Sequence, residues 1–145
     1  MNILKKCFWR LVYFNNPVKY AKKKGVIVGT GNSFVDHSCF GSEPYLIKIG
    51  NNNRISFGCT FLTHDGGRWV LDRLYSEESP FLKFGTIVIG NNNFIGCHSI
   101  INPNVTVGDN CIIAAGSVIA KSIPPGEVLG GGYQPNLSCE PRIII

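Results

Sequence analysis

The strongest constraint in this sequence is an aliphatic residue that returns every six positions. The register holds without a break through Ile89, Ile95, Ile101, Val107, Ile113 and Ile119. A period of six fits neither an amphipathic helix nor the two-residue alternation of a single strand, and it excludes a heptad coiled coil. It fits a coil of three short flat strands, each with one inward aliphatic side chain. Eighteen residues then complete one coil, and stacked coils share a continuous aliphatic core.

The same phase occurs earlier in the chain, in two shorter runs. These are Ile49, Ile55 and Phe61, preceded by Val28, Phe34 and Phe40. About three extra residues near Glu43 and a long insert between Asp65 and Thr86 break the register. We therefore expect about two coils in residues 26–64 and about two more in residues 87–123.

Small and amide-bearing residues fall where such a coil would turn. Gly90, Gly96 and Gly108 directly follow inward aliphatic positions, where the backbones of neighbouring coils would crowd. The sequence IGNNN occurs at 49–53 and again at 89–93. Glycine and asparagine tolerate left-handed backbone, so both segments predict corners.

Composition limits the remaining choices. The 145 residues suffice for one domain, 44% are hydrophobic, and no run of 18 apolar residues predicts a membrane span. We expect no signal peptide, because lysine and arginine interrupt the apolar start of the chain. The six cysteines form no C-x-x-C pair, so we expect most to be reduced, small apolar fillers in a cytoplasmic protein.

Positive charge is concentrated at the start of the chain. Residues 1–24 carry seven lysines and arginines, and the first acidic residue is Asp36. This arm predicts one or two short helices, broken at Asn15-Asn16-Pro17. Two interpretations stay open: an interfacial helix that touches anionic lipid at the inner membrane face, or a capping helix with solvated lysines, which is favoured. Nucleic-acid binding is not expected, because no aromatic-basic sheet motif accompanies the charge.

The chain resembles the hexapeptide-repeat O-acetyltransferases, similar to galactoside, maltose, xenobiotic and surface-polysaccharide acetyltransferases. The resemblance covers roughly residues 26–132 and is carried by the repeats, by THDGG at 63–67, and by IGCHSIINPNVTVGDNCIIAAGSVIAKSIPPG at 95–126. It implies an all-β fold, a left-handed parallel β-helix with a short N-terminal helical segment and an extruded loop. The implied domains are a basic helical arm at 1–24, a β-helix at 25–126 with loop 65–86 extruded, and a tail at 127–145.

The resemblance also implies acetyl-CoA as co-substrate, bound in a groove between the subunits of a homotrimer. The matching donor-site positions are Cys97, Ala115, Gly116, Ser117, Ala120 and Lys121. Relatives end in a basic stretch that grips the adenosine 3′-phosphate, whereas this tail offers only Arg142. Cys97 stands where several relatives have serine.

His64 is the predicted general base. It ends a coil just before the insert, where functional groups concentrate, and imidazole suits proton transfer near neutral pH. From its position alone a loop-edge histidine in a turn is the favoured interpretation, and it is the resemblance that implies His64 as the base. Asp65 points away from its neighbour on a strand, so a backbone carbonyl or another carboxylate would fix the tautomer of the ring.

Acceptor contacts are less defined in the sequence. Trp69 and Tyr75, near Arg68, are candidates for an aromatic wall against a sugar, and Trp69 equally suits packing of the loop. Asp65 is a candidate acceptor contact, although a turn-forming role before Gly66 is favoured. Further candidates near the other break of the register are Ser42, Glu43 and Tyr45.

His37, His64 and His98 occupy the same hexapeptide position, which raises the question of a metal site. The closely spaced pair of histidines used by related zinc enzymes is missing, so no metal is expected. The predicted function is transfer of acetyl from acetyl-CoA to a hydroxyl of a sugar or polysaccharide precursor. Another small hydroxyl or amine acceptor (an antibiotic or an amino sugar), and a non-catalytic β-helix scaffold, stay as alternatives.

Overall fold

The chain folds into the predicted left-handed parallel β-helix. The structure is a computed structural model and describes residues 15–74 and 84–130. Its strands are β1 (Ile27–Val28), β2 (Ser33–Phe34), β3 (Ile47–Ile49), β4 (Arg54–Ile55), β5 (Thr60–Phe61), β6 (Ile87–Ile89), β7 (Phe94–Ile95), β8 (Ile100–Ile101), β9 (Thr106–Val107), β10 (Ile112–Ile113), β11 (Val118–Ile119) and β12 (Val128–Leu129).

The strands form three parallel sheets, which are the three faces of a prism. Face A has the order β1-β3-β6-β9, face B has β2-β4-β7-β10-β12, and face C has β5-β8-β11. The turns between faces stack into three corners. Corner AB contains residues 29–32, 50–53, 90–93 and 108–111; corner BC contains 35–38, 56–59, 96–99 and 114–117; corner CA contains 41–46, 62–74, 84–86, 102–105 and 120–122.

The six-residue period produces this prism because every sixth side chain points inward. All six aliphatic residues of the unbroken run are at most 2% exposed. Ile89 pairs with Val107 and Ile95 with Ile113, which is the predicted spacing of eighteen. Phe34 instead pairs with Ile55, twenty-one positions later, because corner CA of that coil holds three additional residues.

Corner AB is held by asparagine and aspartate side chains that hydrogen-bond from one coil to the next. The backbone N–H of Asn51 donates to Oδ1 of Asn91 at 2.8 Å, and that of Asn91 donates to Oδ1 of Asp109 at 2.6 Å. A second ladder runs through the buried Asn53 and Asn93. Asn52 and Asn92 have left-handed φ angles of 56° and 55°, as the IGNNN segments predict, and Asn110 in the equivalent turn has a φ of 60°.

Two helices accompany the prism. Helix α1 (Pro17–Lys24) begins at the predicted break, where Oδ1 of Asn16 accepts the N–H of Lys19 at 2.9 Å. Its one buried residue, Ala21, packs onto the end of the core. Helix α2 (Arg68–Leu74) lies within the insert, where the sequence predicted a loop. None of the helices in the described ranges is long and apolar enough to cross a membrane.

Several predicted features lie partly outside the described residues. The arm before residue 15 and the tail after residue 130 are among them, so the division into three domains and the lipid contact stay predictions. Strand β12 lies just beyond residue 126, the predicted end of the β-helix. Cys59 and Cys111 are buried fillers, as expected for most cysteines, whereas Cys39 is exposed.

The glycines after the inward aliphatic residues are where adjacent coils come closest. A Cβ on Gly96 would lie 2.7 Å from the carbonyl carbon of Ala114 and 2.8 Å from the Cα of Ala115. Gly90 and Gly108 face the next coil at similar distances. The predicted crowding at these positions is confirmed.

We expect Gly96→Ala to lower the free energy of unfolding by more than about 2 kcal/mol, because backbone atoms of the next coil must move. Gly66→Ala is the control, since a Cβ there meets no atom within 4 Å. It should change stability by less than about 0.5 kcal/mol. Urea unfolding at one fixed protein concentration measures both, and equal losses would contradict the crowding argument.

Candidate active site

Corner CA brings a histidine and a glutamate together at the base of the insert. Nδ1 of His64 lies 2.9 Å from Oε2 of Glu43. A carboxylate oxygen can only accept, so Nδ1 carries a proton, and in the neutral imidazole Nε2 keeps its lone pair. The His64 side chain is 42% exposed and that of Glu43 only 15%, so the carboxylate lies behind the ring and the ring faces solvent.

The break in the repeat explains this contact. Glu43 and His64 are twenty-one residues apart, the spacing that pairs strands across the longer coil. They therefore occupy equivalent places in successive coils and stack along the prism. The carboxylate that fixes the tautomer, which the sequence left open, is Glu43 rather than Asp65.

Thr63 completes the arrangement from inside the prism. Its side chain is fully buried, and its hydroxyl donates to the same Oε2 of Glu43 at 2.6 Å. This hydrogen bond is the largest cause that lowers the pKa of Glu43 from its usual value of 4.5. Burial, the next largest effect, opposes it, and His64 and Ser42 lower the pKa further. The carboxylate therefore stays ionised at neutral pH.

The end of the insert closes over the same place. The backbone N–H of Gly85 donates to the carbonyl of Thr63 at 2.8 Å, and Phe84 forms an antiparallel bridge with His64. The Phe84 and His64 rings are 5.9 Å apart. Both ends of the insert thus converge on the histidine, which limits the positions of its ring.

Most of the predicted acceptor contacts lie near this corner, but in different roles. Oδ1 of Asp65 accepts the N–H of Gly67 at 2.7 Å, which is the turn-forming interaction that the sequence favoured. Trp69 is 70% exposed on helix α2, with the Arg73 guanidinium 3.8 Å from its ring centre. Ser42 and Tyr45 are exposed, and Tyr75 lies outside the described residues.

The predicted donor-site residues fall on two corners. Cys97, Ala115 and Gly116 lie at corner BC, where Cys97 is half-buried and the other two are exposed. Ser117 follows them, but its side chain is buried and its hydroxyl donates to the carbonyl of Ala114 at 2.7 Å. The Ser117 hydroxyl is therefore directed into the coil and cannot serve as an external contact.

Ala120 and Lys121 lie at corner CA, in the coil two turns beyond His64, and both are exposed. Arg142 lies outside the described residues. Corners BC and CA are the two edges of face C, and one side of such a prism spans roughly 15 Å. Cys97 and His64 therefore cannot line one pocket within a single chain.

The three histidines do not converge. His37 and His98 lie at corner BC, and His64 lies at corner CA. Each has an aromatic neighbour: Tyr20 beside His37, Phe57 beside His98 and Phe84 beside His64. Within residues 15–74 and 84–130, no group of three or more potential metal ligands occurs.

Comparisons with known proteins agree with this architecture. The family model for the bacterial transferase hexapeptide, with six repeats, matches residues 86–121. CapG of Staphylococcus aureus is 47% identical over 130 residues, which cover 88% of this chain and 74% of that protein. The chain belongs to the bacterial hexapeptide transferase family. Galactoside O-acetyltransferase of Escherichia coli is 58% identical over 115 residues, which cover 79% of this chain and 54% of that protein.

A solved hexapeptide-repeat acetyltransferase of Vibrio cholerae shares the fold, with a TM-score of 0.54 and 20% identity over 78% of this chain and 73% of that one. Membership of the hexapeptide transferases confirms the predicted class, an acyltransferase. This chain spans only about half the length of the galactoside enzyme. The similarity therefore does not identify the acyl donor, the acceptor or the catalytic base of this chain.

Two neighbours of His64 were not among the site residues that the sequence suggested. In the sequence Thr63 stood out only as the first residue of THDGG. Side chains alternate between the inside and the outside of the coil, however, so the residue two positions after the inward Phe61 also points into the core. Phe84 carries no sequence signal, because the length of the insert does not reveal where its far end returns. Glu43 was suggested as an acceptor contact, but its Oε2 is occupied by two donors of this chain.

The lowered pKa of Glu43 makes part of the stability depend on pH. A carboxyl group with a depressed pKa stabilises the fold above its unfolded pKa, and this stabilisation is lost as the pH falls through the folded value. We expect the wild type to be more stable than Glu43→Gln above about pH 5.5, with the difference shrinking below the usual value of 4.5. Urea unfolding from pH 3.5 to 6.5 at one protein concentration measures it. A difference that stays constant or grows as the pH falls below 4.5 would show that the carboxylate is not stabilised in this way.

Proposed function

We propose that this hexapeptide transferase moves an acetyl group from acetyl-CoA to a hydroxyl of a sugar or polysaccharide precursor, with His64 as general base. The contact of His64 Nδ1 with Glu43 carries the proposal, because it leaves Nε2 as an acceptor on an exposed ring. A base so placed suits deprotonation of a weakly acidic hydroxyl near neutral pH.

The reaction needs no covalent enzyme intermediate. Nε2 of His64 takes the proton of the acceptor hydroxyl as its oxygen attacks the thioester carbonyl of acetyl-CoA. The C–S bond then breaks, and the proton passes from His64 to the departing sulfur, which leaves an acetyl ester and the CoA thiol. Glu43 stays ionised throughout and stabilises the imidazolium that forms transiently.

Corner BC suits the extended amide-containing arm of the donor. Gly116 has a left-handed φ of 71° and open space at its Cβ position, and Ala115 beside it is small and exposed. Short side chains let a ligand approach the backbone groups of a coil edge closely. Cys97 in the preceding coil extends this small-residue edge, and Lys121 at corner CA is proposed for the nucleotide phosphates.

Because base and donor edge lie on opposite sides of face C, the proposed site needs two copies of the chain. A ring of three copies can place corner CA of one copy against corner BC of the next, and such head-to-tail contacts close under threefold symmetry. We therefore propose the homotrimer as the active unit, with three equivalent sites.

A sugar acceptor is supported by the similarity to galactoside O-acetyltransferase and by the exposed Trp69 close in sequence to the base. An indole ring stacks well on a pyranose face. Amine acceptors and a scaffold without activity would be distinguished by the assays below. The cytoplasmic location and the lipid contact of the basic arm stay predictions.

We expect His64→Ala to lower kcat by about 10²- to 10⁴-fold, the contribution of a positioned general base, with the assembly and Tm nearly unchanged. The assay measures CoA thiol release from acetyl-CoA with a panel of galactosides and other sugars. Arg54→Ala, which removes an exposed side chain on face B next to corner AB, away from both proposed edges, is the control and should retain activity. Full activity in His64→Ala, or no transfer to any sugar by the wild type, would refute the proposal.

Mixing two inactive variants tests whether each site spans two chains. His64→Ala removes the base and Ala115→Trp fills the donor edge, so each homotrimer should be inactive. An equimolar, randomly assembled mixture should regain about a quarter of wild-type activity, because one in four random interfaces combines an intact base with an intact donor edge. Two different affinity tags would confirm mixing. Mixed trimers that stay inactive would place base and donor edge in the same chain.

A further inference from the structure

The residue behind the carboxylate is unusual for its position. Thr63 is completely buried, yet its hydroxyl is directed at a charged group rather than at a backbone carbonyl of its own coil. The described buried serines with side-chain hydrogen bonds do the opposite: Ser99 donates to the carbonyl of Gly96 at 2.8 Å and Ser117 to that of Ala114. Thr63 therefore does more than satisfy the interior of the coil.

A single oxygen atom joins Thr63 to the histidine. Oε2 of Glu43 accepts from the Thr63 hydroxyl at 2.6 Å and from Nδ1 of His64 at 2.9 Å. A glutamate side chain has three rotatable bonds and would otherwise sample several rotamers at the edge of a corner. A second donor from the rigid core restricts the carboxylate to the rotamer that meets the imidazole.

We propose that Thr63 is a positioning residue, whose buried hydroxyl holds the Glu43 carboxylate where it fixes the tautomer and orientation of His64. This inference rests on the proposed role of His64 as the base. The lowered pKa of Glu43, with the Thr63 hydrogen bond as its largest cause, agrees with it.

The surroundings of the hydroxyl favour this role. Gly41, in the preceding coil, has a left-handed φ of 63°, and a Cβ there would lie 3.0 Å from Oγ1 of Thr63. The absence of a side chain at Gly41 therefore leaves room for the hydroxyl. The backbone carbonyl of Thr63 separately receives the N–H of Gly85, so the side chain can be changed without removing that anchor of the insert.

The variant Thr63→Val keeps the shape of the side chain and removes its hydroxyl. We expect it to lower kcat by about 3- to 10-fold, the value of one hydrogen bond of moderate strength, with KM for acetyl-CoA unchanged. Thr63→Ser should restore most of the activity, because it returns the donor. Thr30→Val makes the same change at corner AB, away from both proposed edges of the site, where the hydroxyl donates to Oδ1 of Asn51 at 3.2 Å, and it should keep wild-type kcat. Thr63→Ala serves if the valine variant does not fold.

The same substitution in a Glu43→Ala background separates positioning from general damage. If Thr63 acts through Glu43, Thr63→Val should change kcat by less than 2-fold once the carboxylate is gone, because the two residues form one unit. An equal loss in both backgrounds, or no loss in either, would overturn the inference.

A spectroscopic measurement makes the test independent of any acceptor. The chain has three histidines, so ¹⁵N-histidine labelling gives three imidazole rings, and the His64 signals are those lost in His64→Ala. The fraction of His64 in the Nδ1–H tautomer should fall in Thr63→Val and recover in Thr63→Ser. An unchanged tautomer would refute the positioning role even in an active enzyme, whereas a changed tautomer without sugar acetylation would refute only the proposed function.

Discussion

The close stacking of successive coils is the constraint on which the rest of the structure depends. Backbone hydrogen bonds such as that from Gly50 N–H to the Ile89 carbonyl, at 2.8 Å, hold each coil against the next. At the turns this spacing leaves no room for a Cβ at Gly90, Gly96 or Gly108. The hexapeptide repeat therefore encodes two things at once, an aliphatic core and a set of corners where coils touch.

This constraint also determines where the β-helix can tolerate extra residues and the functional side chains beside them. An extra residue within a face would shift every inward side chain of that strand, whereas an extra residue at a corner can move outward. Both departures from the repeat occur at corner CA: three residues beside Glu43 and the long insert after His64. The two breaks lie in successive coils, so the side chains that flank them stack against each other.

The sequence predicts the faces better than the site, for physical reasons. Inward positions follow from the period alone, and counting three extra residues already brings Glu43 to the level of His64. The contact itself depends on side-chain rotamers, which the period does not determine, so Glu43 was assigned to the acceptor. Helix α2 was not predicted because the insert has no hydrophobic periodicity. The contact of Phe84 with His64 was not predicted because tertiary contacts decide where the end of the insert rejoins the prism.

The placement of the site on the prism links activity to assembly. A rigid face separates corner BC from corner CA, and no movement of the short strands between them can bring Cys97 to His64. In the proposed trimer each chain therefore contributes to two different sites, with the proposed base at one edge and the proposed donor edge at the other. Within the chain, Thr63 and Glu43 can orient the imidazole before any partner is bound, so association would complete the site without having to reorganise it.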